Sequence, residues 1–255
     1  MEHGKDKKLI QAGAEEAPKQ EKSAHQDVPA SEAAKPEPCD AEPVFDDEFI
    51  RARRARNKAK REAAPVVEDD DLPADGLSET ILESHISWRG DFLAAEDLTV
   101  RLPNGRLGHR DVLRHPGAVA VIALTDDGKM VLVHQYRVAL EQVTVEIPAG
   151  KLEPGEDPAR AAARELLEET GYMAQRMAYL GPIAPAAGYS DELLHLYMAM
   201  GLTFEGASPD EDEFINVDLV DVNEMVDMVL DGKVVDSKTV VGVLLCDTIS
   251  RRMEA

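Results

Sequence analysis

The pattern of hydrophobic and polar positions divides the chain near residue 76. The first 76 residues are rich in Ala, Glu, Lys and Pro, and their few apolar residues follow no sustained period. Such a segment buries too little apolar surface to offset the entropy that is lost when it is ordered. We therefore predict a largely disordered arm at residues 1–76 and one compact domain at residues 77–255.

Short apolar runs predict the strands of this domain. They lie at 92–102, 106–115, 118–124, 130–136, 143–147, 195–201 and 214–220. Turn residues at 103–105 and 126–128 predict that the first four of these strands form two hairpins. Pro148-Ala149-Gly150 reads as a further turn.

Helical periodicity predicts three helices, at 158–170, roughly 221–231 and 237–252. Asp157 is the expected N-cap of the first helix and Gly171 its end, while Asp236 or Ser237 caps the last. Strands interspersed with helices indicate a layered α/β fold.

The charge of the chain restricts its partners. The formal net charge is −22, and the predicted domain alone has 15 Lys and Arg against 31 Asp and Glu, a net charge of −16. A field of this sign disfavours binding to nucleic acid. An acidic protein that acts on a phosphate substrate also requires bridging cations, which points to a metal ion.

Cysteine usage and hydropathy indicate the compartment. Cys39 and Cys246 lie far apart, so a disulfide framework is not expected. The first residues lead into no signal-peptide-like segment, and no apolar run is long enough to cross a bilayer. We expect a soluble, cytoplasmic protein without a membrane partner.

A basic stretch at residues 51–61 stands out within the arm. It follows an acidic start, an order that suits a helix dipole. One interpretation is a solvated, partly helical linker. The other is a contact site for RNA, for an acidic partner or for the acidic domain itself.

The predicted helix at 158–170 carries three glutamates on one side. Glu165, Glu168 and Glu169 fall within an arc of about 100°. The side opposite to them is expected to pack on a sheet through Ala159, Ala163, Leu166 and Leu167. An amphipathic helix with a solvated acidic face is one interpretation. However, like charges at these spacings repel each other, and clustered oxygen donors suit Mg²⁺.

A longer motif surrounds this helix. It reads Gly, five residues, Glu, seven residues, Arg-Glu, an aliphatic residue, any residue, Glu-Glu, any residue, Gly and an aliphatic or aromatic residue. The fixed positions are Gly150, Glu156, Arg164, Glu165, Leu166, Glu168, Glu169, Gly171 and Tyr172. This pattern resembles the signature of the Nudix hydrolase family, which implies an α/β/α sandwich with a mixed sheet and a motif at 150–172.

The resemblance also implies roles for these residues. Glu165, Glu168 and Glu169 would bind Mg²⁺, or Mn²⁺ as a substitute, together with the carbonyl of Ala149. Arg164 would pair with a neighbouring glutamate, and Glu156 would fix the loop. The implied reaction is attack of water on a diphosphate phosphorus.

The flanking sequence suggests the substrate. Residues 77–252 are similar to bacterial ADP-ribose pyrophosphatases, in which a glutamate from a late loop reaches the metal ions. Glu213 is the first choice for this role, as base or ligand, and Glu211 is the second; Glu168 also serves catalysis. An acidic surface loop is the alternative interpretation of these two residues.

Three residues are candidates for substrate binding. Arg137 is expected to contact the diphosphate, since a guanidinium pairs with two phosphate oxygens. Arg110 resembles a second arginine of the group. Trp88 either stacks on adenine or packs in an N-terminal strand. The sequence departs from the group at Ala187, where a proline is usual.

The resemblance implies hydrolysis of ADP-ribose to AMP and ribose 5-phosphate. The alternatives are another nucleoside diphosphate derivative, such as a nucleotide sugar or dinucleotide, or a non-catalytic sensor that binds ADP-ribose. The resemblance further implies a homodimer, with strands around 85–102 crossing between subunits.

Overall fold

The computed structural model describes residue 55 and residues 75–207 and 214–254. The predictions for the arm, including the basic stretch at 51–61, lie almost entirely outside the described residues. Glu211 and Glu213 also lie outside them. Among the described residues, no helix has the length and apolar character needed to cross a membrane.

Ten strands and three helices lie within residues 75–207 and 214–254. The strands are β1 (Thr80–Arg89), β2 (Ala94–Arg101), β3 (Leu107–Arg114), β4 (Ala118–Ala123), β5 (Lys129–Arg137), β6 (Gln142–Glu146), β7 (Ala149–Lys151), β8 (Tyr172–Ile183), β9 (Leu194–Phe204) and β10 (Asn216–Asp221). The helices are α1 (Pro158–Thr170), α2 (Val222–Leu230) and α3 (Ser237–Glu254).

The strands form three sheets, with orders β1-β2-β3, β10-β5-β6 and β7-β4-β9-β8. The four-stranded sheet is mixed, because β4 runs parallel to β9 while its other pairs are antiparallel. This arrangement confirms the predicted α/β fold with a mixed sheet.

Alternate residues of β4 enter two hydrophobic clusters on opposite faces of its sheet. The even-numbered residues cluster with Met225 of α2 and Val243 of α3. The odd-numbered residues cluster with Ala161, Ala162 and Leu166 of α1. Because successive side chains of a strand point to opposite faces, helices cover both sides of β4. The result is the predicted α/β/α layering.

The predicted hairpin of 118–124 with 130–136 is wrong. In the described chain, β4 and β5 share one isolated bridge, between Leu124 and Met130, and belong to different sheets. The reason is that β9 and β7 occupy the two edges of β4. The first predicted hairpin, of β2 with β3, is present.

Two further differences concern β7 and β8. Residues 149–151 form a short strand paired with β4, where a turn was predicted. β8 was not predicted, because Gly181 and Pro182 resemble chain breakers and a register shift at Tyr179 interrupts its alternation. The edge position of β8 accommodates this proline, which has no N–H to donate.

The predicted helix boundaries agree with the structure. α1 spans residues 158–170, Asp157 accepts hydrogen bonds from Ala159 N and Arg160 N at 3.0 and 3.2 Å, and Gly171 has a φ of +74°. Asp236, rather than Ser237, caps α3 by accepting from Thr239 N at 3.0 Å.

Candidate active site

Helix α1 presents its glutamates toward the protein. The buried residues of α1 are Ala161, Ala162, Leu166, Glu169 and Thr170. Glu169 is 3% exposed, whereas Ala159 and Ala163 are exposed. The prediction that the apolar and acidic faces lie opposite each other is therefore wrong. The two faces overlap, because part of the glutamate face packs against β7.

The contact with β7 brings two glutamates to the backbone of the motif loop. Ala149 N donates a hydrogen bond to Glu169 Oε2 at 3.0 Å. A Cβ added to Gly150 would lie 1.9 Å from the carboxyl carbon of Glu165. Only glycine leaves room for this carboxylate, which explains the residue type that begins the motif.

Arg164 links the loop and the helix. Its Nε and Nη2 donate to the two oxygens of Glu156 at 3.0 and 2.9 Å, and its Nη1 donates to Glu165 and Glu168 at 2.9 Å each. The predicted pairing of Arg164 is therefore present, and Glu156 also accepts from Glu153 N at 3.1 Å. The hydrogen bonds with Glu156 raise the pKa of Arg164 and lower the pKa of Glu156.

The composition of this cluster fits a divalent cation. The cluster has four carboxylates, of Glu156, Glu165, Glu168 and Glu169, and one guanidinium, which pairs with the first three, so the formal excess is three negative charges. All the donors are oxygens, which Mg²⁺ and other hard cations prefer. Within residues 75–207 and 214–254, no three acidic, His or Cys side chains are already arranged around a common metal position. Metal binding by these glutamates and the carbonyl of Ala149 stays a prediction.

A second ionic cluster lies at the ends of β5 and β6. Arg137 donates from Nε and Nη2 to the two oxygens of Glu146, at 2.8 and 2.7 Å. Glu146 has 2% of its side chain exposed, accepts from Thr144 Oγ1 at 2.6 Å, and also binds the ammonium group of Lys238.

These contacts control the ionisation of Glu146. Burial alone would raise its pKa, but the hydrogen bonds of Arg137 and the charge of Lys238 lower it to about 2. The same hydrogen bonds raise the pKa of Arg137, and the charges of Asp236 and Glu169 add to this effect. Of these charged groups, Glu169 belongs to α1.

The other two predicted substrate residues lie on the N-terminal sheet. Arg110, on β3, binds Glu79 and donates to the carbonyl of His109 at 2.9 Å. Trp88, on β1, is 54% exposed, and its ring lies against Gly90, where an added Cβ would come within 2.5 Å of it. Neither residue takes part in the two ionic clusters. Their roles in substrate binding stay predictions.

A small cavity adjoins the motif. Its volume is about 220 Å³, and residues 89–94 and 114–116 line it. The ring of Phe92 stacks edge-on against His115 at 5.7 Å and contacts Lys151 Nζ, 4.4 Å from the ring centroid. Because Lys151 follows Gly150, this contact connects the cavity to the motif loop.

Glu146 and Lys238 were not identified from the sequence. The strand alternation of β6 did carry a signal, since its polar positions, Gln142, Thr144 and Glu146, share one face and the two valines share the other. Lys238 carried none, because its contact with Glu146 spans 92 residues.

Comparison with known proteins agrees with this geometry. The family profile described as NUDIX domain matches residues 114–241. A methanol dehydrogenase activator of Bacillus methanolicus is 49% identical over 146 residues, which are 56% of this chain and 79% of the relative.

Two similar proteins are ADP-ribose pyrophosphatases. The protein of Bacillus subtilis is 45% identical, over 55% of this chain and 77% of its own length. The protein of Mycobacterium tuberculosis is 36% identical, over 66% and 83%. A crystal structure of an ADP compounds hydrolase, 24% identical, shares the fold with a TM-score of 0.62 over 69% of this chain and 97% of that one.

The matched segment spans half of the chain and contains the complete motif, the gathered glutamates of α1 and the Arg137 cluster, and its profile is that of one family. This chain belongs to the Nudix family.

Proposed function

We propose that the chain hydrolyses the diphosphate of ADP-ribose, with Mg²⁺, to AMP and ribose 5-phosphate. The observation that carries the proposal is the glutamate cluster of α1, in which Glu165 and Glu169 lie against the Ala149–Gly150 backbone. The relatives named ADP-ribose pyrophosphatases support the choice of substrate.

Glu165, Glu168, Glu169 and the carbonyl of Ala149 would hold the metal, with Glu213 as a further ligand. Mg²⁺, or Mn²⁺ in its place, would supply neutralisation of the phosphate oxygens and activation of the attacking water.

The remaining roles belong to the side chains of this chain. Arg164 keeps Glu165 and Glu168 oriented through paired hydrogen bonds. Arg137 binds an oxygen of the diphosphate, which lies between the two halves of the substrate. Glu213, or Glu211 in its place, accepts the proton of the attacking water. Water thereby adds to one phosphorus, and the other phosphate departs with its sugar.

The cavity beside Phe92 suits a terminal group of the substrate. It combines aromatic and basic side chains with a direct contact to the motif loop. Rings of this kind stack on a base, and arginines such as Arg89 pair with anions. Arg110 and Trp88 would complete binding from the N-terminal sheet.

The proposal is tested by incubating the purified full chain with ADP-ribose and Mg²⁺ and quantifying AMP and ribose 5-phosphate by chromatography. We expect equimolar products, and loss of turnover when EDTA removes the metal. Absence of turnover with both Mg²⁺ and Mn²⁺ would refute the proposed reaction. Tight binding of ADP-ribose without turnover would instead support the sensor function.

A different diphosphate substrate is the second candidate. Ala187 occupies the position at which ADP-ribose enzymes of this group usually carry proline, which favours testing other substrates. A panel of ADP-ribose, nucleotide sugars and dinucleotides, ranked by kcat/KM, decides between the two functions. A higher kcat/KM for any other compound would reassign the substrate.

We further propose a homodimer that forms through the N-terminal sheet. Every residue of β1 is exposed, including Ile81, Ile86 and Trp88 at 56%, 43% and 54%. β1 is also an edge strand of its described sheet. Exposed apolar edge strands pair readily with other chains. Light scattering after size exclusion should give twice the chain mass, and the mass of one chain would exclude the dimer.

A further inference from the structure

The first turn of α3 reaches the carboxylate that holds Arg137. The ammonium group of Lys238 binds Glu146 and lies 3.0 Å from Asp236 Oδ1. It is well buried, with 10% of its side chain exposed. Thr239, the next residue of α3, accepts a hydrogen bond from Ile147 N at 2.9 Å, so the backbone after Glu146 is fixed by the same turn.

Arg137 must meet two demands that conflict, pairing with Glu146 and binding the diphosphate. Its Nε and Nη2 are committed to Glu146, yet the proposed function requires its positive charge for the diphosphate. When a buried carboxylate has only one cationic partner, that cation must stay paired with it, because an uncompensated buried charge is strongly destabilising. Glu146 therefore needs a second cation if Arg137 is to serve the substrate.

Lys238 is that second cation. Arg137 and Lys238 carry two positive charges, and Glu146 and Asp236 carry two negative charges. Arg137 retains 43% exposure of its side chain, while Lys238 faces the protein interior. The two cations are thus placed differently: Arg137 is partly exposed to solvent, and Lys238 is directed at the buried carboxylate.

We propose that Lys238 is a positioning residue for Arg137. Lys238 neutralises the charge of Glu146. Glu146 can then align the guanidinium of Arg137 through hydrogen bonds, while the positive charge of Arg137 stays available to the diphosphate. The inference rests on the proposed function, since it takes Arg137 as the diphosphate contact. A purely structural Lys238 would stabilise the fold without acting through Arg137.

The test compares full-chain variants by calorimetric binding of a methylene-bridged, non-hydrolysable ADP-ribose analogue and by steady-state kinetics. Lys238→Met is expected to raise Kd and KM about tenfold while kcat changes less than about threefold. Lys238→Gln keeps a hydrogen-bond donor but removes the charge, so it should show the same loss. Lys238→Arg should recover the affinity to within about threefold. Lys233→Met, at an exposed lysine paired with Asp231, is the matched control and should change neither constant.

A double-mutant cycle separates positioning from stability. In an Arg137→Ala background, Lys238→Met should change Kd by less than about twofold, because the residue through which it acts is gone. Equal losses in both backgrounds would overturn the proposal. So would an unchanged Kd for both Lys238→Met and Lys238→Gln. If Lys238→Met does not fold, Lys238→Gln takes its place in the cycle.

Failure of the proposed function gives a different result. If the unsubstituted chain does not turn over ADP-ribose, the substrate assignment fails, and the same cycle is measured with the best diphosphate of the substrate panel. If the unsubstituted chain is active and the cycle is additive, the assignment of Lys238 fails alone.

Discussion

The glutamate cluster of α1 and the cluster around Glu146 differ in charge balance and in how the chain assembles them. The α1 cluster has four carboxylates and one guanidinium and comes from residues 156–169. The cluster around Glu146 has two carboxylates and two cations and joins residues 137, 146, 236 and 238. Glu146 is almost completely buried, whereas Glu168 has 40% of its side chain exposed.

Because of this difference, the glutamate cluster of α1 needs a bound cation to balance its charge and the cluster around Glu146 does not. A negative excess is stabilised by a divalent cation, so the glutamate cluster of α1 is suited to binding one. A balanced cluster around a buried carboxylate needs no external ion and instead holds its side chains in place. The first cluster is therefore suited to chemistry and the second to orientation. Each of the following predictions tests one side of this contrast.

Replacement of the α1 glutamates should have the largest effect. Glu168→Gln and Glu169→Gln are each expected to reduce kcat about a thousandfold, because an amide cannot compensate the charge of a metal ion. The fold should persist, since Glu168 is half exposed and a glutamine at 169 still accepts from Ala149 N. A discontinuous steady-state assay measures kcat, and circular dichroism measures whether the fold persists.

Glu224→Gln is the control for these substitutions, since Glu224 is an exposed glutamate in the first turn of α2. Its rate should stay at that of the unsubstituted chain. If Glu168→Gln and Glu169→Gln also keep that rate, the metal is held elsewhere and the contrast between the clusters is lost.

The cluster around Glu146 should affect how the free energy of unfolding depends on pH. The pKa of Glu146 is lowered from 4.5 to about 2 in the folded chain. A depressed pKa contributes stability above the unfolded value, and this stability is lost as the pH falls toward about 2. The shift corresponds to a contribution on the order of 3 kcal/mol from this one carboxylate to the free energy of unfolding.

Urea unfolding between pH 6 and 3, at steps of about one unit, measures this effect. Glu146→Gln should show a shallower loss of stability on acidification, because this carboxylate no longer takes up a proton. Other carboxylates with lowered pKa, such as Glu156 and Asp191, titrate in both proteins and cancel in the comparison. Identical slopes would mean that Glu146 is not the buried, ionised group described above.

A smaller effect is expected from Gly150→Ala. The new Cβ would overlap the carboxylate of Glu165, so this side chain must move away from the motif loop. We expect the Mg²⁺ concentration for half-maximal rate to rise about tenfold, as for a ligand whose orientation is disturbed. A metal titration of the rate measures it.

Gly188→Ala is the control for Gly150→Ala, because a Cβ there meets nothing within 4 Å and the backbone is not in the left-handed region. Its metal dependence should match that of the unsubstituted chain. If Gly150→Ala matches it as well, Glu165 does not depend on the close approach of this glycine.

The local elements of the candidate site were predictable because their signals lie close together in sequence. The boundaries of α1, its Asp157 cap and its Gly171 end follow from capping chemistry that involves neighbouring residues. The pairing of Arg164 was predictable for the same reason, since its partners lie between one and eight residues away.

Predictions failed where they depended on packing partners that are distant in sequence. Helical periodicity placed the glutamates correctly relative to one another but not relative to the sheet, since the position of β7 beside α1 determines which face is buried. The hairpin of β4 with β5 failed because β9, about 70 residues later, occupies the edge of β4. Propensity and alternation do not contain this information.

The amino-acid sequence by itself determined the glutamate helix, its caps, its motif and hence the family, because these depend on contacts within one or two helical turns. Only the tertiary structure decided that Glu169 is buried against Ala149 and that Lys238 meets Glu146 across 92 residues. The physical reason is that buried charges select their partners through three-dimensional packing and charge neutralisation, and neither is encoded in local spacing.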